Sequence, residues 1–215
     1  MDDTARQAHY WNTAGATKTF THPLHGEWLA GLSHDSRILD YGCGYGRVTA
    51  ELSDLGFTRV RGVDPSPALI ARGRASRPDL DFAVVESPPA VDRPAAGIDV
   101  VVLFAVLTCV PDDQAQRALV AELRRVLAPD GLIYVSDLLL QSDRRNQRRY
   151  AAHAERGGGP YGVFETDDGA VCRHHDIAWL RSLFADFEPV DERRIDVATM
   201  NGRPARGVQM LARRR

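Results

Sequence analysis

Ile38-Leu39-Asp40-Tyr41-Gly42-Cys43-Gly44-Tyr45-Gly46 is the stretch on which the fold turns: an apolar run enclosing a carboxylate, then glycine at every second position. Arg37 to Tyr41 reads as a β-strand, and the glycines allow a sharp turn that leaves room for a ligand against the backbone. Val48, Leu52 and Leu55 follow at the spacing of one buried helix face. A strand, a glycine-rich turn and a helix open an α/β sheet of the kind whose ligands bind at the carboxyl ends of its strands.

Strand-like and helix-like segments continue to alternate, which predicts a parallel sheet covered by helices. Val60 to Val63 reads as the second strand. In Asp64-Pro65-Ser66-Pro67 the serine can cap a helix whose first position is the proline, and that helix carries Leu69 and Ile70. Asp81 to Val85 is a third strand, and the apolar run Ile98 to Phe104 is the strongest buried-strand signal. Asp112 starts a helix with Leu119, Leu123, Val126 and Leu127 on one face. Pro129-Asp130-Gly131 stops it before the strand Leu132 to Ser136.

Further on, Ile177, Leu180, Leu183, Phe184 and Phe187 predict an amphipathic helix, and two strands meet at Asn201-Gly202, a dipeptide suited to a tight hairpin turn. Between lies a segment, 138 to 175, that no sheet position explains and that reads as a substrate lid. Its second half, Tyr161 to Thr166 and Val171 to His175 around Asp167-Asp168-Gly169, predicts a small hairpin, with Gly157-Gly158-Gly159 as a joint. The expectation is one domain: N-terminal cap helices over 1–36, a cofactor-binding core over 37–137, the lid over 138–175, and a helix with a strand hairpin over 176–215.

At 215 residues, 44% hydrophobic and 26% charged, the chain has ordinary globular composition. A net charge of −2 provides no field for a phosphate backbone, so nucleic acid is not an expected partner. Arg144, Arg145, Arg148 and Arg149 read as a solvated helix face, and Arg213 to Arg215 as a frayed end. Cys43, Cys109 and Cys172 are too scattered for a disulfide framework or a zinc site, and no metal is expected. Met1 to Phe20 has Asp2 and Asp3 where a signal peptide would be basic, and no apolar stretch of membrane length. A cytoplasmic protein with no membrane partner is expected.

Asp64 lies 20 residues past Gly44, at the tip of the second strand, where a carboxylate accepts the hydroxyls of a bound ribose. Asp40 narrows the cofactor. A pyrophosphate gains nothing from a carboxylate just ahead of the turn, because like charges repel, whereas the ammonium of a methionine moiety is stabilised by one.

Leu39-Asp40-Tyr41-Gly42-Cys43-Gly44-Tyr45-Gly46 resembles the first signature of class I S-adenosylmethionine-dependent methyltransferases, and Gly62-Val63-Asp64-Pro65-Ser66 resembles the second. Asp99-Val100-Val101-Val102 with Ala105-Val106-Leu107 is similar to the family's fourth-strand motif, and Leu127-Ala128-Pro129-Asp130-Gly131-Leu132 to the approach to its fifth strand. The resemblance covers about 37–137 and 176–213.

It implies a Rossmann-like α/β fold: a seven-stranded, mostly parallel sheet with one antiparallel strand and helices on both faces. It also implies S-adenosyl-L-methionine as cofactor and S-adenosyl-L-homocysteine as product. Asp40 would take the amino group, Gly42, Cys43 and Gly44 the amino-acid portion, and Asp64, followed by Pro65 and Ser66, the ribose. Phe104 and Ala105 would line the cleft. Glu86-Ser87 stands where relatives commonly carry an aspartate that reads the adenine amino group, a longer arm of the same charge. Tyr10 and Trp11 lie in a segment expected to cover the site. The expected acceptor is an O or N atom of a small molecule, and a homodimer stays open.

No base can be copied from the family, since Thr108-Cys109 stands where relatives often carry histidine. His22, His25, His174 and His175 are candidates because imidazole titrates near neutrality; Tyr161 and Glu165 join them from the lid. Thr21-His22-Pro23 reads rather more readily as the cap of a helix beginning near Leu24 than as a catalytic group. His174 and His175, adjacent on a strand, point to opposite faces, so at most one reaches the cleft. Asp176 reads as a helix cap. A nicotinamide-dependent dehydrogenase is disfavoured because Lys18 is the only lysine and precedes the sheet. A silent cofactor-binding subunit and an RNA or protein methyltransferase remain as alternatives.

Overall fold

A computed structural model describes residues 3–157 and 159–215, so Asp2 and Gly158, both used above, lie outside the described residues. Helix α1 (Asp3–Asn12) and two 3-10 turns, Ala14–Thr17 and Gly26–Trp28, precede β1 (Arg37–Tyr41) and α2 (Arg47–Asp54). Next come β2 (Arg59–Asp64), α3 (Pro67–Ser76), β3 (Asp81–Val84), β4 (Ile98–Phe104), α4 (Asp113–Val126) and β5 (Leu127–Leu138). Helix α5 (Arg144–Glu155), the short strands β6 (Val163–Glu165) and β7 (Val171–Arg173), α6 (Ile177–Leu183), β8 (Phe187–Ala198) and β9 (Pro204–Arg214) complete the chain.

The main sheet has seven strands in the order β3-β2-β1-β4-β5-β9-β8. β1 to β5 are parallel, and β9 alone is reversed, pairing antiparallel with both β5 and β8. Strand alternation splits the core into two layers. Ile38, Val100, Val102 and Tyr134 meet Val48 and Leu52 of α2 on one face. Leu39, Val101, Leu103 and Ile133 meet Leu119 and Leu123 of α4 and Leu180 of α6 on the other. Val100 to Leu103 are wholly buried, and each such side chain stabilises the fold by about 1.5–3 kcal/mol.

Several local expectations shift. Leu55 is half exposed, because α2 ends at Asp54 and Leu55 is its C-cap. Leu127 leaves the helical face and pairs with Ile98, so β5 starts early, and Pro129-Asp130-Gly131 bulges out before Leu132 resumes the ladder. Asp130 takes φ 61 there. Phe187 is the first residue of β8, not the last of α6. The β8–β9 turn is wider than two residues: Thr199 N–H donates to the Arg203 carbonyl, with Gly202 at φ 73 inside it. No α-helix begins at Leu24; the chain makes only the 3-10 turn Gly26–Trp28.

The chain winds outward from β1 in both directions, so the β1 and β4 tips flank the point where strand order reverses. A crevice opens at such a point in a doubly wound sheet. The turn after β1 and the segment after β4 are its walls.

Candidate functional site

The turn after β1 is fixed by backbone and carboxylate together. Gly42 and Cys43 both donate to the Val63 carbonyl, at 2.7 and 3.0 Å. Asp64 accepts from Gly44 N–H (2.9 Å) and Ser66 N–H (2.8 Å), one bond to each carboxylate oxygen. The Ser66 hydroxyl caps α3 by accepting from Leu69 N–H, with Pro67 at the first helical position. Gly44 has φ +58, and a Cβ there would meet no protein atom within 4 Å, so the space beside it is left to a ligand. At Gly42 the restriction is internal: a Cβ would lie 2.4 Å from Val106.

Asp40 and Asp64 are buried side by side at the strand tips. Burial pushes each carboxyl up to about 6; the Thr49 hydroxyl bond (2.7 Å) and nearby Arg47 pull Asp40 back, and the Ser66 and Gly44 N–H bonds do the same for Asp64. Among the described residues neither forms an ion pair. Two buried carboxylates with no ion-pair partner among the described residues, beside an open glycine, suit a ligand that brings an ammonium and hydroxyls. Across the crevice Ala105 is held at φ 56, with its N–H on the Ser136 carbonyl (2.7 Å). Strain of this kind concentrates at binding sites.

These residues line a cavity of about 870 Å³, large enough for a nucleoside-sized ligand. Trp11, Asp40, Gly42, Cys43, Gly44, Asp64, Pro65, Phe104 and Ala105 are on its wall, as is Glu165. Tyr10 and Ser66 stand behind that wall. Tyr10 donates to Asp168 (3.0 Å), and the Ser66 hydroxyl donates to the Trp11 carbonyl (3.0 Å), tying α1 to α3. Glu86 and Ser87 are exposed and outside the lining, because β3 ends at Val84; Pro88 and Pro89 contribute to the wall there instead.

A second cavity of about 280 Å³ adjoins the first, the two sharing Phe20, Ala105 and Cys109. His22 and His174 line it together with Thr108 and Arg149. His22 contacts the Ser136 hydroxyl through Nδ1 (2.9 Å), and His174 contacts the Tyr150 hydroxyl through Nδ1 (2.5 Å). Burial lowers His22 to about 4 and His174 to about 3, so both are neutral at physiological pH and weak as bases. His175 points the opposite way, to Gln116 (2.9 Å) and the Leu138 carbonyl (3.2 Å), a buried structural role. Tyr161 is exposed, stacks edge-on against Tyr150, and lines neither cavity. His25 stacks edge-on against Trp28.

Three wall residues escaped sequence reasoning. Gln7 spans the Cys109 and Val171 carbonyls, Arg47 donates to the His22 carbonyl, and Arg149 lies over the Phe164 ring. Only Arg149 carried any signal, as part of the arginine-rich run read as solvated. Asp176 caps α6 as expected, accepting from Ala178 N–H. Among the described residues no three His, Cys, Asp or Glu side chains gather to share a metal ion, and no helix is long and apolar enough to cross a membrane.

The open sheet with its crevice at the β1 and β4 tips defines a nucleoside-cofactor-binding α/β protein. A methyltransferase-domain family model matches residues 20–187. The chain belongs to that family, the class I S-adenosylmethionine-dependent methyltransferases. A trans-aconitate 2-methyltransferase from Methylobacterium radiotolerans is 34% identical over 138 residues, 63% of this chain and 49% of that protein. The chain spans about half or less of the length of such curated relatives. A crystal structure of a SAM-dependent methyltransferase from Methanosarcina mazei superposes with TM-score 0.82 at 22% identity, covering 89% of this chain and 98% of that one. The Burkholderia thailandensis 1,6-didemethyltoxoflavin-N1-methyltransferase, solved with 1,6-didemethyltoxoflavin and S-adenosylhomocysteine, gives 0.66 at 21%, covering 99% and 85%.

Proposed function

We propose that the protein transfers a methyl group from S-adenosylmethionine to an O or N atom of a small molecule. The observation that carries this reading is the pair of adjoining cavities. One holds the carboxylates and the open glycine; the other is walled by the 138–175 segment together with the β8–β9 turn, and the two share Phe20, Ala105 and Cys109. The cofactor supplies an electrophilic methyl on a sulfonium, displaced in line by the acceptor. Asp40 would take its ammonium, Asp64 its ribose hydroxyls, and Trp11 and Phe104 its apolar surroundings.

The protein's contribution is alignment and exclusion of water. Because His22 and His174 are held neutral with low basicity, they serve as hydrogen-bonding walls that orient the acceptor. The nucleophilic lone pair therefore has to be available on the acceptor itself. The dimensions of the smaller cavity favour a small molecule over an RNA or protein chain. Incubation with methyl-labelled cofactor and a fractionated metabolite pool should yield a labelled small product. Cofactor binding without any labelled product would establish the silent-subunit reading instead, and label appearing only in RNA or protein would overturn the choice of acceptor.

A further inference from the structure

The smaller cavity has a charge asymmetry that methyl transfer as such does not require. Its lining includes Arg145, Arg149 and Arg203, with Asp143 as the one carboxylate among the described residues. Asp143 is engaged by its own helix: as N-cap of α5 it accepts from Asn146 N–H (3.1 Å) and from the Asn146 side-chain amide. Arg145 reaches only the exposed Asp167, at 3.9 Å. Arg149 is half-buried, its guanidinium carbon 3.3 Å above the centre of the Phe164 ring, and among the described residues it makes no ion pair. Its Nε is buried without a hydrogen-bond partner. Desolvation lowers Arg149 from its ordinary value, as expected for a cation lacking a counter-charge.

A desolvated guanidinium without an anion is costly, and a ligand anion offsets that cost. The guanidinium lies over Phe164, and its N–H groups have the fork geometry that matches a planar carboxylate. Arg145, Asn146 and Arg149 line the smaller cavity but not the larger one, whereas Ala105 and Cys109 line both. An anion held on Arg149 therefore lies away from the junction. The rest of the wall mixes apolar side chains, among them Phe20, Leu138, Phe164 and Met200, with the neutral polar groups of His22, Thr108 and His174.

We propose that the methyl acceptor is an organic acid whose carboxylate is anchored by Arg149 in the smaller cavity while its nucleophilic atom faces the junction at Ala105 and Cys109. The proposal rests on the methyltransferase reading, and its test separates the two. Calorimetry with S-adenosylhomocysteine comes first: no cofactor binding defeats the methyltransferase reading. With that cofactor product saturating, a panel of aliphatic and aromatic hydroxy- and amino-carboxylic acids is titrated beside the matching carboxamides and phosphate monoesters.

At least one acid should bind ten-fold or more tighter than its carboxamide, and Arg149→Gln should erase that preference while leaving S-adenosylhomocysteine affinity unchanged. Arg149→Lys should restore part of it. With labelled S-adenosylmethionine, R149Q should raise KM for the acid at least ten-fold with kcat little changed, which a merely structural defect would not reproduce. Equal binding of acids and carboxamides, no acid binding at all, an unchanged preference in R149Q, or a preference for phosphate monoesters would each overturn the carboxylate assignment.

Discussion

In the proposed function Asp40 and Asp64, both buried, supply negative charge to a ligand that brings an ammonium and a sugar. For Asp64→Ala we expect a folded protein whose S-adenosylhomocysteine dissociation constant rises about 10- to 100-fold, the loss of hydrogen bonds to a charged acceptor. Unchanged affinity in a calorimetric titration removes Asp64 from the site. Asp40, at about 6, holds its proton more tightly in the folded protein than in the unfolded chain. Its contribution to stability is therefore present below the ordinary carboxylate value and is lost as pH rises through 6. Asp40→Asn should make the ligand-free protein more stable near pH 8 by roughly 1–3 kcal/mol, with no gain near pH 4, while weakening cofactor binding. Thermal melts across pH check the first half. Cofactor affinity in the native protein should in turn fall as pH drops below about 6, where both carboxyls protonate.

The glycine turn and the N-terminal helix show how elements share the work of the site. Gly42→Ala places a methyl against Val106 and should destabilise the protein. In contrast, Gly44→Ala meets nothing, so the fold should hold at a backbone cost of about 1–2 kcal/mol for its positive φ, while cofactor affinity drops because the methyl fills ligand space. Comparing melting temperature with affinity in the two variants distinguishes a packing glycine from a binding one. Gln7 and Tyr10 tie helix α1 to the Cys109 carbonyl and to the β6–β7 hairpin, and Lys18, beyond the helix, pairs with Asp168 in that hairpin (2.5 Å). Gln7→Ala should speed amide hydrogen exchange in α1 and in β6–β7 but not in β1 or β4.

Much at this level was legible. Ser66, Asp112 and Asp176 each cap the helix expected of them, because a cap is a contact between residues two or three apart. The apolar runs at Ile38 to Tyr41 and Ile98 to Phe104 placed β1 and β4 correctly, since a strand buried on both faces has few other readings. Phe187 and Leu127 were misplaced because an apolar residue at a helix end satisfies a helix or a strand equally well until pairing decides.

For the whole molecule, ligand binding and stability are one equilibrium. S-adenosylhomocysteine at 100 times its dissociation constant should add about 2.7 kcal/mol and raise the melting temperature by about 5–10 °C, an increment that shrinks to about 0.4–1.4 kcal/mol in Asp64→Ala at the same concentration. Hydrogen exchange should be slowest in β1, β4 and β5, whose side chains fill both core layers, and fastest in the three-residue strands β6 and β7 with α5. The cavity that would receive the acceptor thus has one rigid wall from the sheet and one more mobile wall from the 138–175 segment.

By itself the sequence determined the sheet, the turn, the two carboxylates and the caps, since each is written in neighbouring residues: strand period, glycine spacing, a capping side chain. Tertiary structure alone decided that His22 and His174 but not His175 line the smaller cavity, that Tyr161 stays outside, and that Arg149, from an apparently solvated run, lies on its wall. His22 meets Ser136 across 114 positions, and Gln7 meets Val171 across 164. Contacts at that separation leave no local pattern, because what brings the two ends together is the folding of every element between them.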